Sequence, residues 1–360
     1  MINCLCNNRL YQKNKIVKFP TFLHDEYKTF KKKFKLIYCK KCGLITNPNA
    51  KKYQNYFHGP RLSKNSQTQH LVFPNHLNKS LNRQETQLSI LKKYVKNKKP
   101  SVLDIGCNDF YFLKKFDKIY PSGNFTGFDI VKKFKKFVPN KKNCNFIYGN
   151  IKKVKGKFDI ITILQCMYWI DINKTIDFLK TRLNKNGAIF ISVDNYVKTP
   201  VSFLQPDRKF HFTEKFLENF SRVKGFSYKK IKSRHLFQEL MIILKPSKKK
   251  NIKFVKNEEL NYIISSIKKI KTKLLEQKKV DYILGITSKA AFCDEIIKKN
   301  IKGFLNEANM PGVRNFRGRK IYHPRVLSKE DNILVLTNTE ASKSINRLKK
   351  KYKGNFIAIK

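Results

Sequence analysis

The chain has 360 residues, with 78 Lys or Arg against 25 Asp or Glu and a formal net charge of +53. That length allows two or three domains. Its apolar runs are broken by Lys or Asp before the roughly 20 residues a membrane helix needs, so a cytoplasmic protein without a membrane span is expected. The charge points toward polyanions, yet it is mostly Lys spread along the chain beside abundant Asn and Ile, as A- and T-rich coding would give; Arg314, Arg317 and Arg319 form its dense Arg cluster.

The N-terminus carries two close cysteine pairs, Cys4-Leu5-Cys6 and Cys39-Lys40-Lys41-Cys42. Two chelating pairs suit tetrahedral zinc with four thiolates, and a closed shell of that kind is structural because it leaves no position for water or substrate. The alternatives are four unrelated thiols or disulfides. The start Met1-Ile2-Asn3-Cys4 has no apolar leader, which disfavours an oxidising compartment. Cys4, Cys6, Cys39 and Cys42 are therefore the expected metal ligands, in a module of residues 1–75 with an aromatic tail (Tyr53, Tyr56, Phe57, His58, His70). Cys107, Cys144, Cys166 and Cys293 read as small core residues.

A second domain, 76–246, opens with a helix expected from Ser80 to Val95. Val102 to Ile105 then reads as a buried strand running into an acidic turn, Gly106-Cys107-Asn108-Asp109. Twenty-five residues after Asp104, the strand Phe125–Phe128 delivers Asp129. Strand, glycine turn and an acid closing the next strand are the layout of a nucleotide-binding doubly wound sheet, in which the carboxylate accepts two ribose hydroxyls. A third strand ends at Asn150 and Ile151. A fourth, Phe158 to Leu164, exits through Gln165 to Trp169. A helix from Ile172 to Leu183, a turn at Asn184–Gly187 and a strand Ala188–Val193 follow. His211 lies between that fifth strand and a helix beginning at Glu214.

A linker, Lys248 to Asn251, leads to a third domain, 251–360. It opens with an apolar-spaced helix from Glu258 to Leu275. The strand Val280–Ile286, a turn Thr287-Ser288-Lys289-Ala290 and strands at 302–305, 333–336 and 356–359 read as a second, smaller α/β unit.

Val102-Leu103-Asp104-Ile105-Gly106-Cys107, Phe158-Asp159-Ile160-Ile161 and the Leu183…Gly187…Val193 spacing resemble class I S-adenosylmethionine-dependent methyltransferases. The resemblance implies a Rossmann-like sheet, preceded by the zinc module and followed by the smaller α/β domain. It also implies S-adenosylmethionine held by Asp104, Gly106, Asn108, Asp109 and Asp129, with Asn150 and Ile151 at the adenine and Gln165 over the methyl group. The family's D-x-G-x-G departs here at Asn108, a residue type that tolerates positive φ.

Across the three parts the chain resembles NDP-sugar C-methyltransferases, which join a C-x-x-C-G zinc module, a central methyltransferase domain and a Rossmann-like C-terminal domain. Gly285-Ile286-Thr287-Ser288-Lys289-Ala290 is similar to that family's G-A-x-x-K-G turn. Gly312 with Gly318-Arg319-Lys320-Ile321 is similar to its G-x-x-x-P-G-x-x-I segment. The resemblance implies a nucleotide-linked keto sugar as substrate.

The family's basic residues are changed. Tyr168-Trp169 stands where it has a His, and Pro206 to Thr213 replaces H-E-H-x-S-Y-F-S, so that Asp207 falls at the Glu, Arg208 at the second His and His211 at the Tyr. His211 is the expected base, Asp207 an alternative for O-methylation, and Tyr168 an orienting group. His211 has a second reading, packing against the helix that Thr213 caps. Two further functions stand beside the sugar enzyme. One is an RNA methyltransferase gripping its substrate through the zinc module and basic surface. The other is a catalytically degenerate cofactor-binding protein. No feature of the chain fixes an oligomeric state.

Overall fold

The computed structural model describes residues 4–5, 12–22, 29–30, 34–51, 71–72, 81–254, 258–298, 300–307, 314–336 and 341–359. Cys6, the aromatic tail (Tyr53, Tyr56, Phe57, His58, His70) and Gly312 lie outside the described residues.

Three N-terminal strands, β1 (Gln12–Val17), β2 (Phe34–Cys39) and β3 (Ile45–Thr46), pair in antiparallel order. Helix α1 (Arg83–Leu91) is shorter than the expected Ser80–Val95. The Asn82 side chain accepts from Glu85 N and sets its start, and Lys92–Tyr94 tightens into a 3₁₀ turn at its end.

A seven-stranded sheet follows. Its members are β4 (Ser101–Ile105), β5 (Asn124–Asp129), β6 (Cys144–Tyr148), β7 (Phe158–Leu164) and β8 (Leu183–Asp194), then β10 (Phe226–Ile231) and β11 (Glu239–Pro246). Helices α2 (Tyr111–Ile119), α3 (Ile172–Thr181) and α4 (Glu214–Lys224) connect them. The order is β6-β5-β4-β7-β8-β11-β10. β11 runs antiparallel to both neighbours, while β4 to β8 are mutually parallel. β4, β7 and β8 are apolar and buried on both faces, as interior parallel strands must be.

The expected turn at Asn184–Gly187 is absorbed into β8. The pairing shifts between Phe158↔Leu183 and Ile160↔Ala188, so the extra residues form a bulge. A Cβ on Gly187 would come within 2.7 Å of the Phe158 carbonyl oxygen, which explains a glycine there. The chain reverses its direction of winding between β4 and β7. In such sheets ligands bind outside the carboxyl ends of the strands at that point.

A two-residue strand, β9 (Phe210–His211), leaves the central unit and becomes the fourth strand of the N-terminal sheet, pairing Phe210↔Thr46 and His211↔Ile45. The third unit contains helices α5 (Glu258–Leu275), α6 (Ser288–Ile297) and α7 (Ala341–Lys351). Its sheet runs β14 (Asn315–Phe316), β15 (Arg319–Tyr322), β13 (Gly303–Leu305), β12 (Tyr282–Leu284), β16 (Asn332–Leu336), β17 (Asn355–Ile359). The five strands other than β14 are parallel, a second Rossmann-like sheet.

Two members of the Arg cluster are committed inside this unit. Arg317 Nε donates to Asp294 Oδ2 (2.7 Å) and its Nη2 to Glu295 (3.1 Å), while Arg319 also bonds Asp294. Leu36 and Ile45 of the first sheet, Ile163 and Phe203 of the second unit, and Ile263 and Phe292 of the third share one apolar core. Among the described residues, no helix is long and apolar enough to cross a membrane.

Candidate cofactor and acceptor site

The turn after β4 folds over the end of β5: Gly106 N and Cys107 N both donate to the Phe128 carbonyl (2.8 and 3.1 Å). Gly106 has φ +75, and a Cβ there would lie 2.8 Å from that of Cys166, so no larger residue fits. Asn108 (φ 49) and Phe110 (φ 61) are also left-handed, which turns the loop back toward Asp129.

Asp129 Oδ2 accepts from Asn108 N (3.1 Å) and Oδ1 from Val131 N (2.9 Å), so one carboxylate ties two loops together. The Asn108 Oδ1 is buried without a hydrogen-bond partner among the described residues. Asp104 is 3 % exposed and accepts from Thr162 Oγ1 (2.6 Å). Burial pushes its carboxyl up to about 7, against the Thr162 bond and with the charges of Asp129 and Asp109 adding to the rise. Asp109 accepts from Tyr111 N and is likewise raised, chiefly by burial.

Asn150 caps a short turn through Lys152 N (3.0 Å), and the adjacent Gly149 N donates to the Asp129 carbonyl (3.1 Å). Ile151 begins that turn. Asp104, Gly106, Asn108, Asp109, Asp129, Asn150 and Ile151 thus gather along the carboxyl ends of β4, β5 and β6. An orphaned amide oxygen and three crowded carboxyls suit a ligand with hydroxyl donors and a positive centre. S-adenosylmethionine has both.

Gln165 leaves β7 with φ 59, its N–H donating to the Ser192 carbonyl (2.8 Å). Turned so that its amide nitrogen faces Asp194 Oδ1 (3.0 Å) and Tyr168 Oη (3.1 Å), its oxygen accepts from Arg83 Nη2 (3.1 Å). The same network includes Glu239, at the head of β11, which bonds Arg83, Ser192 and Gln87 Nε2 (2.7 Å).

Arg208, 2 % exposed, donates from Nη1 to Asp194 Oδ2 (2.9 Å) and Tyr196 Oη (2.8 Å), and lies 3.9 Å from the centre of the Tyr168 ring. Burial acts to lower the pKa of both arginines. Glu239 and Asp194 around Arg83, and Tyr196 and Asp194 around Arg208, outweigh it. Arg83, Gln87, Ser192, Asp194 and Glu239 escape a motif search because they come from three distant segments. The one local signal is a Glu leading an apolar strand, since a charge entering a buried run needs a partner.

Tyr168, Asp207 and His211 are all fully buried around Arg208. Tyr168 accepts from Asp194 N, and burial, reinforced by Asp194, holds its phenol protonated. His211, the expected base between the fifth strand and a helix, stands in strand β9, because the open edge of β3 pairs with it. Its ring is 4.6 Å from Phe203 and 5.6 Å from Tyr196. Burial, and secondarily Arg208, keep its pKa well below the ordinary value. Thr213 caps α4 through Phe216 N (3.2 Å). From the third unit, Lys289 in the first turn of α6 feels the Asp194 charge; burial pushes its ammonium down to about 8, with Cys293 and Asp194 opposing.

The sulfurs of Cys4, Cys39 and Cys42 lie within 4.8 Å of one another and are buried. Cys39 N donates to the Leu44 carbonyl (2.8 Å), Gly43 N to the Cys39 carbonyl (2.9 Å) and Cys42 N to Cys39 Sγ (3.5 Å), closing a knuckle that aims sulfurs and amides inward. Three buried thiols are a donor set suited to zinc, and Zn–S bonds of about 2.3 Å would open the Cys4–Cys42 sulfur separation from 3.1 Å to ~3.8 Å.

Residues 77–245 match the family model described as a methyltransferase domain. Malonyl-[acyl-carrier protein] O-methyltransferase 2 of Ilyobacter polytropus is 29 % identical over 141 residues, covering 36 % of this chain and 54 % of that protein. The chain thus spans about half the length of this curated relative. Among solved structures, the plantazolicin methyltransferase BpumL is similar at 20 % identity and a TM-score of 0.42, over 56 % of this chain and 95 % of that one. An O-methyltransferase family protein from Burkholderia thailandensis is similar at 10 % identity and 0.37, over 56 % and 71 %. The strand order is that of the class I S-adenosylmethionine-dependent methyltransferase fold, and the methyltransferase-domain match, just under half of the chain, covers that sheet.

Proposed function

We propose that the protein transfers a methyl group to a small polar molecule, a nucleotide-linked or polysaccharide-precursor sugar, on carbon or oxygen. The observation that carries this reading is the buried network of Gln165, Tyr168, Asp194 and Arg208 at the carboxyl ends of β7 and β8. Its fixed donors and acceptors suit a substrate rich in hydroxyls. The likeness of all three parts to NDP-sugar C-methyltransferases supports the same substrate class. In this reading residues 1–75, 76–246 and 251–360 are the three domains, and zinc on Cys4, Cys6, Cys39 and Cys42 is structural.

Bound S-adenosylmethionine supplies an electrophilic methyl on a sulfonium. Asp129 would take the ribose hydroxyls, and Asn108 would offer its amide oxygen. Asn150 and Ile151 would border the adenine, while Asp104 and Asp109 would face the cationic end. Tyr168 orients the acceptor. His211 is the proposed base, although burial and Arg208 disfavour the imidazolium it would become, and Asp207 stands in the same cluster as the alternative.

Calorimetric titration with S-adenosylhomocysteine, repeated with a nucleotide-sugar mixture or a short RNA, tests the proposal. Binding that a nucleotide sugar tightens supports it. Tightening by RNA alone would replace the sugar with RNA. Absence of any S-adenosylhomocysteine binding would leave a degenerate scaffold. With the sugar identified, His211→Asn should abolish turnover while leaving cofactor affinity intact; unchanged turnover would remove His211 from the mechanism.

A further inference from the structure

The segment 206–210 that carries Arg208 is held from two sides. On one side, Asn47, directly after β3, donates from Nδ2 to the Pro206 carbonyl (2.6 Å) and from its backbone N to the Lys209 carbonyl (2.9 Å). On the other, Lys209 N and Phe210 N both donate to the carbonyl of Tyr168 (3.1 and 3.2 Å). Asp207 and Arg208 lie between the two carbonyls that Asn47 grips. The segment is therefore a strap, anchored to the cysteine module at one margin and to the loop after β7 at the other.

We propose that Asn47 is a positioning residue that couples the cysteine knuckle to the acceptor pocket, acting through Arg208. The inference rests on reading the Arg208 network as the acceptor side of the site. The knuckle fixes Leu44 by its bond from Cys39 N, and Leu44 leads directly into β3. β3 sets the register of Phe210 and His211, and Asn47 sets the height of the strap. The strap delivers the guanidinium to Asp194, Tyr196 and the face of Tyr168. Asn47 Oδ1 is itself fixed by Asn49 N (2.9 Å), so its amide is oriented before it meets the strap. Nothing in this chain of contacts passes through Asp129 or the turn after β4. The knuckle should therefore govern the acceptor pocket and change cofactor affinity little, since Gln165, expected over the methyl group, is reached at one remove, through Tyr168 and Asp194.

Trp169 is the single tryptophan of the chain and stands edge-on to Tyr168, ring centres 5.4 Å apart, so its emission reports this pocket. In the full-length, zinc-loaded protein, Asn47→Ala should change Trp169 emission and acrylamide quenching, while affinity for S-adenosylhomocysteine stays within about twofold. Asn47→Asp keeps the oxygen but loses the Nδ2 donor, and should do the same. Removing zinc from the wild type with a chelator should reproduce the spectral change. Lys13→Ala, on β1 of the same module, should leave it unaltered.

Unchanged Trp169 emission in a folded Asn47→Ala protein would overturn the coupling, as would an equal loss of cofactor affinity. Should that variant fail to fold, hydrogen exchange on the wild type decides. Chelation should deprotect the Asn47 and Phe210 amides together, and Phe210 remaining protected would refute the proposal. The readout needs no acceptor, so a protein that binds no nucleotide sugar yet shows the response would lose the sugar reading and keep the coupling.

Discussion

Asp104 and Asp129 end adjacent strands but are solvated in opposite ways: Asp104 has one hydroxyl partner in a dry setting, Asp129 two backbone amides. The folded pKa of Asp104, about 7, stands above the unfolded value near 3.9, so the native state binds the extra proton between those limits. The stability this contributes is complete below about pH 4 and is lost as pH rises through about 7. Asp104→Asn should therefore raise the melting temperature of the cofactor-free protein at pH 8 and leave it nearly unchanged at pH 4; equal gains at both would show that Asp104 is ionised throughout. Asp129→Ala should weaken S-adenosylhomocysteine more than about tenfold, roughly 1.4 kcal/mol, by calorimetry. Unaltered affinity would remove Asp129 from the ribose site. These acids were legible because strand, turn and acid are contiguous. Arg83 and Glu239 were not, since their bond spans 156 residues of sequence.

At the scale of elements, β4, β7 and β8 could be read as buried apolar runs, and α5 matched its periodicity from Glu258 to Leu275. β10 and β11 were not legible in the sequence. β10 reads Phe-Ser-Tyr-Lys-Lys-Ile, with exposed residues alternating along an edge strand, and it gains its identity only by pairing with β11. Nor could β9 be found locally, for two residues have no period; the partner edge supplied by β3 makes them a strand. The buried cysteines of the knuckle pack with Val17, Leu36 and Ile45 in the core shared with the other two units. Cys39→Ala should lower bound zinc and melt β1 to β3, while the Asp129 site still takes S-adenosylhomocysteine. Intact folding of that module without metal, judged by amide exchange, would show the cysteines to be ordinary core residues.

Over the whole molecule, the +53 charge is mostly Lys spread along the chain. Arg317 and Arg319 are committed to Asp294 and Glu295, which takes two of the three clustered arginines out of contention as a polyanion grip. Attraction to RNA should then be diffuse: affinity for a short RNA is expected to fall on the order of 10³-fold or more between about 50 and 200 mM salt, with no preference among sequences. A sequence-selective complex that survives the higher salt, seen by fluorescence anisotropy, would reopen the RNA reading.

The strand shared between the first and second sheets also orders events during synthesis. Domains of a nascent chain tend to fold from the N-terminus as they emerge, but Asn47 and Pro206 are 159 residues apart, so the first sheet must wait for its last strand. Contacts of such separation are slow to form because the intervening loop has to close first. On the ribosome the cysteine knuckle is thus made early and left with an open edge at β3, exposed to wrong partners until Phe210 and His211 appear. Metal captured at that stage would keep the edge in register, and the finished methyltransferase domain would arrive as the lid on a sheet begun long before.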